Sequence, residues 1–135
     1  MSLGYVALWL WLGLTLVAPR ASAQSPATGA SVLSEYRAAD VELNRVYRQI
    51  LAERRADTAF VRKFRLSQRA WLVYRDAEIA ALYPASDSGA YGSVYAVCRA
   101  HALTGLTRER VAILRRWTSP VPEGDVCAGS LRRAG

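Results

Sequence analysis

The sequence predicts an all-α protein, a compact bundle of three to four helices behind a cleaved signal peptide. Three observations predict it. Apolar residues between Val32 and Trp117 recur at three- and four-residue steps, the period of a helix with one buried stripe. No stretch alternates with the two-residue period of a strand, and no internal repeat is present. Apart from Gly105, the glycines and prolines after residue 30 gather in the Pro84–Gly92 segment and beyond Ser119, outside the periodic stretches.

The N-terminus comes first. Val6 to Val17 is an apolar or small run of about a dozen residues, short for a bilayer span. Pro19, Arg20 and then Ala21-Ser22-Ala23 follow, an A-x-A cleavage signature, so residues 1–23 read as a signal peptide cut after Ala23. No Lys or Arg precedes the run, and the competing reading is an uncleaved anchor helix. No cysteine follows the cleavage point to take a lipid anchor. After cleavage no stable membrane span is expected, and the location is periplasmic or secreted.

Residues 24–30 are a short linker of small and polar residues. Residues 31–117 form the helical domain. From Ser31, the positions Val32, Tyr36, Ala39, Leu43, Val46, Tyr47, Ile50 and Leu51 mark the first helix, which ends near the charged ERRAD segment. Asp57 is suited to cap the second helix. Phe60, Phe64, Trp71, Tyr74 and Ala77 or Ala81 carry its stripe until Pro84 stops it. The segment PASDSGAYG is turn chemistry throughout. Ser93 is the expected cap of a third helix with Val94, Val97, Cys98, His101 and Ala102 inward. Thr104-Gly105 is a place for that helix to kink or split, and Thr107 is a second cap before Val111, Leu114 and Trp117. Residues 118–135, with two prolines and three glycines, form an irregular tail.

The stretch QRAWLVYRDAE, Gln68 to Glu78, concentrates the chemistry. Residues three and four apart share a helix face, so Gln68, Trp71, Arg75 and Glu78 lie together with Tyr74 at the border. Arg75 can stack on Trp71 and pair with Glu78, while Arg69 and Asp76 occupy the neighbouring face. Such a face suits a carbohydrate or protein groove. It equally suits a partly buried ion-pair scaffold, and the scaffold reading is the one favoured, with Trp71 and Tyr74 in the core and Arg75 ion-paired.

Several chemistries lack their residues. His101 is the single histidine, so no Ser-His-Asp set exists without it, and no Gly-rich phosphate loop appears. Cys98, His101 and Cys127 supply at most three of the four ligands of a structural zinc site, and no metal or cofactor is expected. Asp76 and Glu78 project to different sides of a helix, each beside an arginine; pairing lowers a carboxylate pKa, the reverse of what a glycosidase acid needs. The chain is not expected to be an enzyme. Removing residues 1–23 takes away Arg20 and leaves 17 basic against 11 acidic side chains, a formal +6, all but Lys63 of the basic ones arginine. An exported protein with arginines spread along the chain is not expected to bind nucleic acid; affinity for anionic envelope material fits better. Two cysteines outside the cytoplasm argue for a Cys98–Cys127 disulfide, the alternative being a buried thiol at Cys98 and a loose Cys127.

In order and spacing, Leu43, Asn44 and Tyr47 within ELNRVY, then QRAWLVYRDAE, then Tyr91-Gly92-Ser93, Cys98, and Thr107 and Arg110 within LTRER resemble the LprI-like lysozyme inhibitor family over about residues 35–116. The resemblance implies a small exported helical domain, usually disulfide-linked. It also implies the activity for which the family is named, inhibition of lysozyme at the cell envelope. Relatives carry cysteine directly after the glutamate of that motif, where this chain has Ile79, and many carry upstream cysteines that are absent here. A Cys98–Cys127 bridge is therefore peculiar to this chain. The implied partner is a lysozyme-type glycoside hydrolase or another envelope protein. The expected contact is the turn Ser86-Asp87-Ser88-Gly89 with Tyr91, Gly92 and Ser93, or an arginine beside it, plugging a cleft of catalytic carboxylates. The alternative function is a non-enzymatic envelope adaptor that binds anionic polymer or a partner protein.

Overall fold

The computed structural model describes residues 28–85 and 88–134. The predicted signal peptide and most of the linker, along with Ser86 and Asp87 of the predicted contact turn, lie outside the described residues. Three long helices follow one another: α1 (Gly29–Glu53), α2 (Thr58–Leu82) and α3 (Tyr95–Arg115), with a single 3-10 turn at Ser88–Tyr91 between α2 and α3. The all-α class and the helical bundle are as the periodicity required. Among the described residues no helix is long and apolar enough to cross a membrane.

Local chemistry sets the ends. The Thr28 side chain accepts a hydrogen bond from Ser31 N at 3.3 Å to open α1, and Asp57 accepts from Phe60 N at 2.9 Å to open α2. Each cap satisfies one amide that has no partner inside the helix. Tyr83 leaves helical geometry, at φ −130° and ψ 71°, because the ring of Pro84 crowds a helical residue in front of it.

The start of α3 departs from expectation. The capping position is Val94, with no side-chain hydrogen bond, rather than Ser93. The chain turns instead at Gly92, whose φ of 73° is left-handed, and Tyr95 N reaches back to Gly92 O at 3.2 Å. Nor does Thr104-Gly105 interrupt the helix, which runs unbroken through both residues. Thr107 lies fully buried in mid-helix and caps nothing. The buried arc of α3 is Ala100, Leu103, Thr104, Thr107, Arg110, Val111 and Leu114, whereas Val94, Cys98 and His101 are exposed. The arc is rotated from the predicted one because it follows the closest helix contact, α3 against α1. At its start, a Cβ placed on Gly29 would stand 3.1 Å from Val97 Cγ2.

The core comprises Leu43, Val46 and Ile50 of α1, Phe64 of α2, and Val111 and Leu114 of α3. Burying each such side chain stabilises the fold by about 1.5–3 kcal/mol. The backbone of α2 stands further off. It reaches the core through long side chains: Phe64 stacks on Tyr47, Phe60 and Phe64 both meet Trp117, and Trp71 packs against the core cluster. Two ion pairs tie α1 to α3 across the exposed edge, Glu35–Arg108 at 3.0 Å and Glu42–Arg115 at 2.8 Å.

The predicted disulfide is not formed: Cys98 and Cys127 are free and exposed. Their separation is the reason. Ile113, Arg116 and Trp117 at the far end of α3 share a depression with Ala128 to Leu131 of the tail, so Cys127 lies at that end. Cys98 is in the first turn of α3, about 22 Å back along the helix axis, whereas a disulfide needs Cα atoms within about 7 Å. The tail is held by other means. Ala128 is buried, Arg54 Nη1 donates to Ser130 O at 3.0 Å, and Val121 forms an isolated parallel bridge with Arg133.

Candidate functional site

The motif residues divide between core, support and surface. Leu43 is core, and Tyr47 stacks on Phe64 with centroids 5.5 Å apart. Asn44 is exposed and ties back onto its own helix, its Nδ2 donating to Asp40 O at 2.9 Å. Gln68 and Arg110 are both 8% exposed, and Thr107 is 0% exposed, so these polar groups are built into the interior. Arg110 Nε donates to Gln68 Oε1 at 3.1 Å and its Nη2 to Ser67 Oγ at 3.2 Å. Trp71, half-buried, lies between two guanidinium groups, with Arg75 5.4 Å and Arg110 5.8 Å from its ring centroid. Stacking over an aromatic face offsets part of the cost of withdrawing such cations from water. Burial disfavours the charged form of Arg110 and draws its pKa down. Among the described residues, Thr107 Oγ1 is buried with no hydrogen-bond partner.

Three expectations for this face change. Tyr74 is 50% exposed rather than core, since it lies at the edge of the arc that α2 presents to its neighbours. Arg75 does not pair with Glu78; its Nε and Nη2 both donate to Asp76 Oδ1, at 2.9 and 2.8 Å. Helical side chains lean toward the N-terminus, which carries the guanidinium back over Trp71 and away from Glu78, one turn ahead. Arg69, Asp76 and Glu78 are exposed, so they build no buried charge network.

The turn between α2 and α3 is braced at its base. The rings of Tyr83, Tyr91 and Tyr95 contact one another at centroid distances of 5.1–5.5 Å. Tyr91 Oη accepts a hydrogen bond from Ala85 N at 2.6 Å, and Gly92 N donates to Gly89 O at 3.1 Å. Gly92 and Ser93 are exposed while Tyr91 is half-buried. The sequence marked this segment as a turn. The tyrosine cluster was not readable, because Tyr83 lies in one periodic segment and Tyr95 in the next.

Two further features were missed. Arg55, Arg62, Arg65 and Arg69 line a shallow depression along α2 and are exposed, with no ion pair among the described residues. An i, i+3, i+7 spacing from Arg62 to Arg69 signalled this ladder. Between α2, α3 and the tail lies a groove of about 530 Å³ walled by Phe60, Phe64 and Trp117, with Ser67 and Arg110 at one side. Those rings read as plain core in the sequence, which gave no sign that one edge stays open. Among the described residues, no three His, Cys, Asp or Glu side chains gather where they could hold a metal.

Comparison with known proteins gives one match. No curated protein and no solved structure matches the chain. Residues 19–114 match the family described as Lysozyme inhibitor LprI, most of the chain and all of α1 and α2. On a match that covers most of its length, the chain belongs to the LprI lysozyme inhibitor family.

Proposed function

We propose that this protein is an exported, non-enzymatic inhibitor that binds a lysozyme-type wall hydrolase, with the α2–α3 turn as its contact. The family match over residues 19–114 carries the reading. The geometry supports it in two ways. The QRAWLVYRDAE cluster is largely occupied in holding α2 to α3, through Gln68, Trp71 and Arg110. The described flanks of the turn, by contrast, are braced by the tyrosine cluster and leave Gly92 and Ser93 exposed to a partner. In this reading Ser86, Asp87, Ser88 and Gly89 enter the hydrolase cleft, and Arg99, one turn along α3 from Tyr95, faces the catalytic carboxylates. Animal lysozymes are typically basic, so the chain's positive charge slows long-range approach, and an acidic hydrolase is the easier target. The test is clearing of a cell-wall suspension by lysozymes of several types, with and without the protein. Slowing that is relieved by Arg99→Glu or Ser86→Glu, each of which sets a negative charge against the cleft carboxylates, at unchanged thermal stability is the expected result. Full activity of every lysozyme at micromolar excess of inhibitor would overturn the proposal.

One observation favours a second reading. The exposed ladder of Arg55, Arg62, Arg65 and Arg69 suits an anionic envelope polymer. Retention on such a polymer that falls steeply between low and high salt, and falls further in an Arg62→Gln/Arg69→Gln variant, would identify that role.

A further inference from the structure

The groove between α2, α3 and the tail carries a separate inference. Its walls are aromatic: Phe60 and Phe64 stack with centroids 5.2 Å apart, and Trp117 meets them at 5.1 and 5.8 Å in tilted and edge-on contacts. At one side, Ser67 and Arg110 bring polar groups to this apolar surface, and the exposed Lys63 stands at the rim. Arg110 is the unusual member. Nine-tenths buried as a residue, it spends Nε on Gln68 and Nη2 on Ser67, both neutral acceptors, while Nη1, with no partner among the described residues, is not fully enclosed and stays open to solvent. A withdrawn guanidinium normally finds a carboxylate, because an uncompensated buried charge is costly. Among the described residues no acidic group supplies one, and the Trp71 ring at 5.8 Å offsets only part of the cost. Asp57, the acidic residue at the groove, is committed elsewhere, to the Phe60 amide at 2.9 Å and to Arg54 at 3.7 Å.

We infer that the groove binds a small amphiphilic anion. Its apolar body lies against Phe60, Phe64 and Trp117, and its single carboxylate completes the guanidinium of Arg110 with Lys63 contributing from the rim. An apolar lining with a few convergent polar groups, at about 530 Å³, is the usual form of a small-molecule pocket. The body is short, since the groove is open along one edge and bounded by the tail at Ser130. Both aryl and alkyl carboxylates share this chemistry. This inference does not depend on what the α2–α3 turn recognises.

Calorimetric titration of the whole protein tests it with four probes: 2-naphthoate, octanoate, and their neutral counterparts 2-naphthalenemethanol and octanol. The expected result is saturable one-to-one binding of at least one carboxylate, with its alcohol about tenfold weaker or worse, the loss that goes with one charge-assisted hydrogen bond. Stronger binding of the naphthoate assigns an aryl body, and stronger binding of octanoate an alkyl one. Arg110→Gln should abolish the preference for the anion. Because that change touches the interior, Lys63→Ala at the exposed rim provides a second variant, expected to weaken the carboxylate and leave the alcohol unchanged. No binding of either carboxylate at millimolar concentration, or equal affinity for acid and alcohol in the unmodified protein, would overturn the inference.

Discussion

Thr107 and Gly105 are neighbours on α3 with opposite problems, and each makes a prediction at the scale of one residue. The Thr107 hydroxyl is buried without a partner among the described residues, so it bears the desolvation of a polar group with no hydrogen bond to offset it. Thr107→Val keeps the shape, removes that group, and should raise stability by about 1 kcal/mol in a denaturant titration. Gly105 sits in helical backbone with nothing within 4 Å of where a Cβ would stand. Gly105→Ala should therefore stabilise by about 0.5–1 kcal/mol, read as an upward shift in Tm. The QRAWLVYRDAE aromatics separate in the same assay. Trp71→Ala should cost about 3 kcal/mol, the low end for a core tryptophan because the ring is half-buried. Tyr74→Ala should fall within about 0.5 kcal/mol, as for an ordinary surface change. The motif marked both rings as important; which one faces inward depends on an angular offset that only the packed helices set.

Between elements, α1 and α3 share the closest contact and a charged edge. Glu42 accepts from Arg45 and then from Arg115, and these bonds hold its carboxyl well below the usual carboxylate range, at about 2. A carboxylate with its folded pKa depressed favours the folded state above its ordinary pKa of 4.5, and that contribution is lost as pH falls toward about 2. Thermal melts across that window should show the wild-type protein losing stability more steeply than Glu42→Gln, with the two converging at the acid end. Identical slopes would show that the pairing adds nothing in water, as is common for exposed ion pairs. The cap at Asp57 and the stop before Pro84 were legible because both act within one turn of chain. The start of α3 was not, since Gly92 and the three tyrosines determine it through contacts between separate segments.

For the whole molecule, the separation of Cys98 from Cys127 has a direct consequence. Both thiols are exposed and should react with a thiol reagent under native conditions, and reductant should leave Tm unchanged. Protection of both, with a Tm that falls on reduction, would show a bridge and a different placement of the tail. The tail also decides the groove: Arg54 holds Ser130 beside Phe60 and Trp117, creating the open aromatic wall next to Arg110.

By itself the sequence determined the helical class, the three periodic segments, the cap at Asp57, the stop before Pro84 and the family motif. All of these depend on residues within a turn or two of one another, or on a pattern laid along the chain. The rotation of α3, the exposure of Tyr74 and Cys98, the exchange of Glu78 for Asp76 as partner of Arg75, and the groove beneath the tail were decided only in the tertiary structure. Each depends on how one helix is turned against another, and a periodic stripe fixes that rotation only loosely until side chains such as Gln68, Trp71 and Arg110 meet across the interface.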